Sequence, residues 1–302
     1  MRRNENTGFI GLGAMGEGMA LNLARKQFSL VLYDVRPESY RGFSDVGSVT
    51  TSSPAEVMQQ AAIVLTVLPG PQEVTEVILG SDGLLENAIA GDAIVDLSTV
   101  LPETSDMLAS ACAEKGVSFV DAPIGRLAQH AWEGTSMFMV GATEQDFSRI
   151  KPHLEAMGTT IIHCGVPGSG TRTKLCNNFL AIGSCMMNAE FIALTQGFGL
   201  DLATTLEVVH STTATNGQLK TNYATKVLQG DTEPGFQIDL AHKDLSLILE
   251  SANAMQVPMP VGKAVRDSVE AARVDGWGQR DFSGLADYWC ERAGVKKARL
   301  PR

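Results

Sequence analysis

The chain has 302 residues, 44% hydrophobic and 19% charged, an ordinary globular composition at a length that fits about two domains. A disordered chain, a fibre and a small disulfide scaffold are thereby excluded. Twenty-four Lys and Arg against 34 Asp and Glu leave a net charge of -10, and the sole basic cluster is a short tail at 296–302, so a nucleic-acid or anionic-membrane partner has no electrostatic basis.

The N-terminal Met1-Arg-Arg-Asn-Glu-Asn runs directly into Gly8-Phe-Ile-Gly-Leu-Gly, too short and glycine-rich for the core of a signal peptide, so a protein that is not exported is expected. From 7 to about 165 short apolar runs at 8–10, 30–33, 63–68, 93–97, 118–120, 137–140 and 160–163 alternate with helical patterns. Met15, Met19 and Leu23 make one such pattern, and Met107, Leu108 and Ala111 another. Strands alternating with amphipathic crossovers predict an α/β fold with a parallel, doubly wound sheet. At Gly165-Val-Pro-Gly-Ser-Gly-Thr the strand signals stop. Beyond it the pattern predicts helices over about 171–198, 202–211, 219–229, 238–255 and 261–275, with Asp201 as an N-cap after Gly199. The stretch 175–199 is apolar enough to raise a membrane span, but it contains Asn177, Asn178, Asn188 and Glu190 and reads better as a buried helix. The domains expected are 1–165, a doubly wound sheet, and 166–302, all helical, with a long helix from about 171.

Cysteines 112, 164, 176, 185 and 290 form no Cys-x-x-Cys, and no two histidines stand at ligand spacing. Neither a disulfide framework nor a metal site is expected, and a reducing, cytoplasmic compartment fits. Cys176 and Cys185 read as inert buried thiols.

Gly11-Leu-Gly13-Ala14-Met15-Gly16 matches G-x-G-x-x-G after a strand and at the start of a helix. In such a turn the first glycine makes the tight bend, the second lets the backbone approach a pyrophosphate, and the third permits close helix–sheet packing. The helix N-terminus supplies N–H groups and partial positive charge for the phosphates. The motif alone is a weak signal. Its context strengthens it, because Asp34 closes the second strand at the spacing of the carboxylate that accepts the adenosine ribose hydroxyls. A carboxylate there repels a 2′-phosphate and favours NAD over NADP, while Arg36 pulls the other way. Leu68-Pro69 and Ser98-Thr99 end later strands, in the crevice where the nicotinamide half is expected. A glycine-rich turn beside a surface Asp, with ordinary strand-end turns, is the plain alternative.

Lys174 and Asn178 stand four apart and share a helix face, with Asn177 about a hundred degrees away. Such groups on an otherwise apolar helix are costly unless paired or used. An ammonium beside a carbonyl oxygen delivers a proton as hydride reaches the carbon, and Asn178 would hold the amine or the substrate oxygen in register. From spacing alone a second reading stands: Lys174 reaches solvent at the helix start and Asn178 caps a neighbouring segment.

The chain resembles the β-hydroxyacid dehydrogenases, the family that includes 3-hydroxyisobutyrate dehydrogenase, tartronate semialdehyde reductase and 6-phosphogluconate dehydrogenase. The resemblance runs over nearly the whole chain. It rests on the glycine turn, Asp121-Ala-Pro, Gly134-Thr, Gly170-x-x-x-Lys174-x-x-Asn177-Asn178 and Phe236-Gln-Ile-Asp-Leu-Ala-His-Lys243-Asp244. It implies a Rossmann NAD-binding domain followed by a helical substrate and oligomerisation domain, with the substrate in a cleft between them. It further implies Lys174 as the catalytic lysine with Asn178 as partner, and Asn177 and Lys243 at the substrate. Gly11, Gly13, Ala14, Met15, Gly16, Asp34, Leu68, Pro69, Thr99 and Lys243 are assigned to NAD(H).

Many members read Asp-Ala-Pro-Val-Ser-Gly-Gly where this chain has Asp121-Ala-Pro-Ile-Gly125-Arg126-Leu. Gly125 and Arg126 put a forked cation at the acid end of the substrate, suited to a sulfonate, phosphate or carboxylate. This variation resembles the branch of the family that reduces 3-sulfolactaldehyde to 2,3-dihydroxypropane-1-sulfonate, except that Leu127 and Ala128 stand where that branch has small hydroxyl residues. The expectation is therefore NADH-dependent reduction of a short anionic aldehyde. Its rivals are a 3-hydroxyisobutyrate or succinic semialdehyde type of dehydrogenase and a non-catalytic dinucleotide-binding module, against which Lys174 and Asn178 both argue. Apolar faces with Phe191, Ile192, Leu194 and Phe198 predict a homodimer or homotetramer.

Overall fold

Phe9 and Ile10 show why the first half of the chain folds as it does, since both are fully buried yet belong to different cores. Side chains alternate across a strand, so a run apolar at every position buries both faces of a sheet and needs helices on each side. In this computed structural model, which describes residues 5–300, the chain divides into two compact units, Met1–Lys174 and Leu175–Arg302. The expectations for residues 1–4 and 301–302 lie outside the described residues.

The first unit contains strands β1 (Asn6–Ile10), β2 (Ser29–Tyr33), β3 (Val49–Thr50), β4 (Ile63–Thr66), β5 (Ala93–Asp96), β6 (Ser118–Asp121), β7 (Ile124–Gly125), β8 (Ser136–Gly141) and β9 (Gly158–Gly165). Between them lie α1 (Gly16–Arg25), α2 (Pro54–Gln60), α3 (Pro71–Leu79), α4 (Leu84–Asn87), α5 (Pro102–Glu114), α6 (Ala128–Glu133) and α7 (Glu144–Met157). Among the described residues these strands form one sheet, in the order β3-β2-β1-β4-β5-β6-β8-β7, with β9 pairing β8. The run from β3 to β6 is parallel in the doubly wound order, with the strand succession switching sides between β1 and β4. Register aligns Phe9 with Leu32 and Leu65, and Leu65 with Val95, one row in a single core.

The sheet is not parallel throughout, because β8 runs antiparallel to β6 and β7. Pro123, which has no N–H to give a ladder, separates β6 from β7. The short return through α6 then brings β8 back beside the strand it just left, as antiparallel neighbours allow. The two-residue strands β3 and β7 were too short to show as periodic runs.

A long helix, α8 (Ser169–Gly197), carries the chain across the boundary at Lys174. In the second unit follow α9 (Leu202–His210), α10 (Ile238–Ala254), α11 (Pro260–Ala272) and α12 (Leu285–Arg292). Ile182, Cys185, Met186, Ala189 and Ile192 lie on one face of α8 and enter the core of this unit, while Leu194 and Phe198 are 57% and 69% exposed. Asp201 caps α9 as expected, its carboxylate accepting from Thr204 N at 2.8 Å. The single helix predicted over 219–229 is instead a π turn, Leu219–Tyr223, and a 3-10 turn, Val227–Gln229. Lys226 leaves the helical region (φ -111°, ψ -101°) and Gly230 closes the segment at φ 83°. The helix predicted over 261–275 stops at Ala272 and ends in a π turn through Gly276, φ 84°. Helix α12 was not anticipated. Among the described residues no helix is long and apolar enough to cross a membrane.

Candidate active site

The glycine turn joins β1 to α1, and its first and third glycines close it. Gly11 has φ +92°, and a Cβ there would collide with the Val67 carbonyl oxygen of the neighbouring strand end. A Cβ on Gly16 would strike the Gly11 carbonyl, so the third glycine closes the turn on itself. The close packing expected of it falls to Gly18, which faces the backbone of Ala131 and Trp132. Gly13 is open: the nearest atom to its missing side chain is Arg36 Nη2, at 3.7 Å. Ala14 and Met15 complete the approach to α1, whose N-terminus has no side-chain cap. Its N–H groups are arranged to receive phosphate oxygens.

At the end of β2 the Asp34 carboxylate accepts from Leu12 N at 2.7 Å, from Arg36 N at 2.9 Å and from Arg36 Nε at 3.1 Å. Burial raises its pKa, but the bonds from Arg36 and Leu12 outweigh that and hold the carboxyl below its usual range. Tyr40 fixes the Asp34 backbone, its hydroxyl donating to Asp34 O at 2.8 Å and accepting from Asp34 N at 2.7 Å. Sequence reasoning missed Tyr40, for which no motif gives a signal. Leu68 and Thr99 follow β4 and β5, and Leu68 N donates to Ser98 Oγ at 2.9 Å, with Pro69 beside it on the surface. Ser98 N in turn donates to Asp96, which also accepts from Thr66. An open glycine at the bend, an uncapped helix N-terminus and a fixed carboxylate at the second strand fit an NAD(H) molecule along this edge.

Farther along the sheet, the segment from Asp121 to Ile124 meets the start of α8. Lys174 Nζ donates to Ile124 O at 2.7 Å. The buried Asp121 carboxylate accepts from Gly168 N and Thr171 N, each at 2.6 Å. Burial pushes this carboxyl up to about 6, and the same N–H groups keep it from going higher. Gly125 continues β7 against Met137. Arg126 follows with φ +73°, a left-handed conformation that costs an L-residue roughly 1 kcal/mol or more and suits the glycine many family members carry there. Its guanidinium is held by groups of the protein. It donates to the Thr135 carbonyl, to Thr159 Oγ1 at 3.1 Å and to Thr160 Oγ1 at 3.0 Å, because the turn aims the fork at the start of β9. Leu127 N donates to His130 Nδ1 at 3.3 Å.

In the second unit Asn178 is buried and donates from Nδ2 to Asp244 Oδ2 at 2.6 Å. Asp244 Oδ1 faces Lys243 Nζ at 3.1 Å, so one buried carboxylate holds both a predicted catalytic partner and a predicted binding lysine. Asn177 Nδ2 donates to Asn178 Oδ1 at 3.2 Å from an exposed position. Sequence reading named Asp244 within a motif and gave it no role; its signal was adjacency to Lys243. Cys176, expected buried, is exposed, whereas burial pushes the Cys185 thiol well above its usual range. Among the described residues no group of three or more His, Cys, Asp or Glu side chains could hold a metal ion.

Two family profiles cover most of the chain. Residues 6–165 match the NAD binding domain of 6-phosphogluconate dehydrogenase, and residues 168–289 match the NAD-binding region of NADP-dependent 3-hydroxyisobutyrate dehydrogenase. The chain is 37% identical to 3-sulfolactaldehyde reductase of Escherichia coli (strain K12), over 95% of this chain and 96% of that one. It is 33% identical to 2-(hydroxymethyl)glutarate dehydrogenase of Eubacterium barkeri, over 98% of each. Among solved structures, 3-hydroxyisobutyrate dehydrogenase of Mycobacterium tuberculosis with L-serine superposes with a TM-score of 0.87 at 27% identity, over 94% of this chain and 99% of that one.

Proposed function

Because the chain belongs to the β-hydroxyacid dehydrogenase family and is an NAD-dependent oxidoreductase of the CH–OH group, we propose that it reduces a short anionic aldehyde, with 3-sulfolactaldehyde as the leading substrate. NADH, when bound, supplies the hydride that converts the aldehyde carbon to an alcohol. The observation that carries the reading is the Lys174 ammonium on the Ile124 carbonyl, which sets a proton donor one residue from Gly125-Arg126. Lys174 holds the proton at Nζ and gives it to the carbonyl oxygen as negative charge develops there. The roles of Asn178, in register with the reacting oxygen, and of Asn177 and Lys243, at the substrate, follow the family pattern. Asp244 fixes Asn178 and Lys243 through its two oxygens. Gly11, Gly13, Ala14, Met15 and Gly16 cradle the pyrophosphate. Asp34 takes the adenosine ribose, and Leu68, Pro69 and Thr99 border the nicotinamide half, to which the family pattern also assigns Lys243.

The acid group is read at Gly125-Arg126. The exposed Arg126 fork gives up two neutral threonine hydroxyls for an anion, and charge-assisted bonds are roughly twice as strong as neutral ones. A carboxylate-reading dehydrogenase is the second reading, favoured by the fork's engagement with Thr159 and Thr160 and by Leu127 and Ala128. The test is NADH oxidation with sulfolactaldehyde, succinic semialdehyde and methylmalonate semialdehyde side by side, compared as kcat/KM. A preference of about a hundredfold or more for the sulfonate supports the first reading. A preference for a carboxylate, or none, overturns it. Exposed Leu194 and Phe198 support a homodimer or homotetramer, and unpaired cysteines fit a cytoplasmic setting.

A further inference from the structure

The junction of β6 and β7 touches the start of α8 twice, through Asp121 on the backbone N–H groups of Gly168 and Thr171 and through Ile124 O on Lys174 Nζ. The two contacts lie three residues apart on each chain segment, close to one helical turn on α8. We propose that Asp121 is a positioning residue for the reaction: its buried carboxylate sets the register of the first turn of α8 so that the Lys174 ammonium meets the Ile124 carbonyl. This inference rests on the reading of Lys174 as proton donor.

Helix starts leave N–H groups unpaired, usually capped by a residue just before the helix. Here the cap comes from a strand 47 and 50 residues earlier in sequence, which ties the helix to the sheet instead of to its own preceding loop. The surroundings are shaped for that carboxylate. A Cβ on Gly141 would crowd Asp121 Oδ1, and one on Gly170 would collide with the backbone of Met139 and Asp121. Thr171 adds its hydroxyl to Asp121 and meets Ser105 Oγ at 2.9 Å. Arg172 closes the outer side, donating to Gly168 O at 3.2 Å and to both Asp106 oxygens. Removing the carboxylate frees the first turn to rotate or fray, and a displacement of about 1 Å at a reacting group costs on the order of a hundredfold in rate.

The experiment compares wild type with Asp121→Asn and Lys174→Ala, reading kcat, KM, NADH affinity by fluorescence and amide exchange of peptides covering 166–176. Expected for Asp121→Asn are a kcat lower by about thirtyfold or more, KM and NADH affinity within about threefold, and faster exchange confined to the start of α8. A kcat within twofold of wild type despite faster exchange would make the contact merely structural and overturn the proposal, as would a kcat loss matched by equal loss of NADH binding. If Asp121→Asn does not fold, Thr171→Ala carries the same readouts, with a kcat loss of about three- to tenfold expected and an unchanged kcat overturning it. Turnover retained by Lys174→Ala would overturn both this inference and the proton-donor reading, whereas its loss beside an active Asp121→Asn sinks this one alone.

Discussion

In the proposed reaction Lys174 is the proton donor, and its Nζ donates to Ile124 O at 2.7 Å. General acid catalysis by one group is worth about 10²- to 10⁴-fold. Lys174→Ala is therefore expected to lose that much kcat/KM while NADH binding by fluorescence stays within about threefold, because the cofactor turn lies elsewhere on the sheet edge. At Asp34 the balance is between two charges. Its carboxylate repels a 2′-phosphate and also occupies Arg36, at 3.1 Å, a group suited to bind such a phosphate. Asp34→Ser removes the repulsion and releases the guanidinium together. The ratio of kcat/KM for NADPH over NADH is expected to rise by about tenfold or more, and a ratio that does not move would show that Asp34 does not set cofactor choice.

At the scale of elements, a half-buried histidine and a buried aspartate tie helices to the sheet with opposite pH signatures. His153 on α7 packs on Phe28, lies 3.2 Å from Thr7 Oγ1 of β1, and is pushed down to about 4, chiefly by burial and then by Arg149. Between about pH 4 and 6.5 the unfolded chain binds a proton at this histidine that the fold refuses. Its contribution to stability is thus full above that window and lost as pH falls through it. Asp121, raised to about 6 by burial, binds a proton more readily in the fold than in the unfolded chain from about pH 3.9 upward. Its contribution is fullest below that window and declines as pH rises to about 6. Each shift of two or so units corresponds to roughly 3 kcal/mol, and the two slopes oppose each other. Unfolding measured against pH should show the stability of His153→Gln falling relative to wild type as pH rises from 4 to 6, and that of Asp121→Asn rising over the same range. Parallel curves for all three proteins would mean that neither burial penalty operates.

For the whole molecule, the proposal that chains associate rests on the face of α8 opposite its core. Ile192, expected on an exposed apolar face, belongs instead to the core of the second unit. Leu194 and Phe198 remain outside, with Leu180 and Met187 exposed at helical spacing before them. A stripe of that kind in contact with water costs about 25 cal/mol per Å² of apolar surface that a partner copy would cover. The double variant Leu194→Glu with Phe198→Glu is expected to sediment as a smaller species than wild type, with its circular dichroism unchanged. A wild-type chain that sediments as a monomer would remove this face as the basis of assembly.

The sequence by itself determined the glycine turn, the Asp34 at the end of the second strand, the parallel character of the early strands and the helix that carries Lys174, because each is announced by local rules of turn, period and spacing. Runs apolar at every position announce a sheet buried on both faces, and no distant contact is needed to read them. Tertiary structure alone decided the rest. Asp121 takes its N–H donors from residues 47 and 50 positions away, and Arg126 turns its fork to Thr159 and Thr160, more than thirty positions on. Likewise Asp244 meets Asn178 across 66 positions. A carboxylate or guanidinium carries no mark in sequence of which backbone its fold will bring to it; only the packing of strands and helices supplies the partner, and with it the geometry on which the chemistry depends.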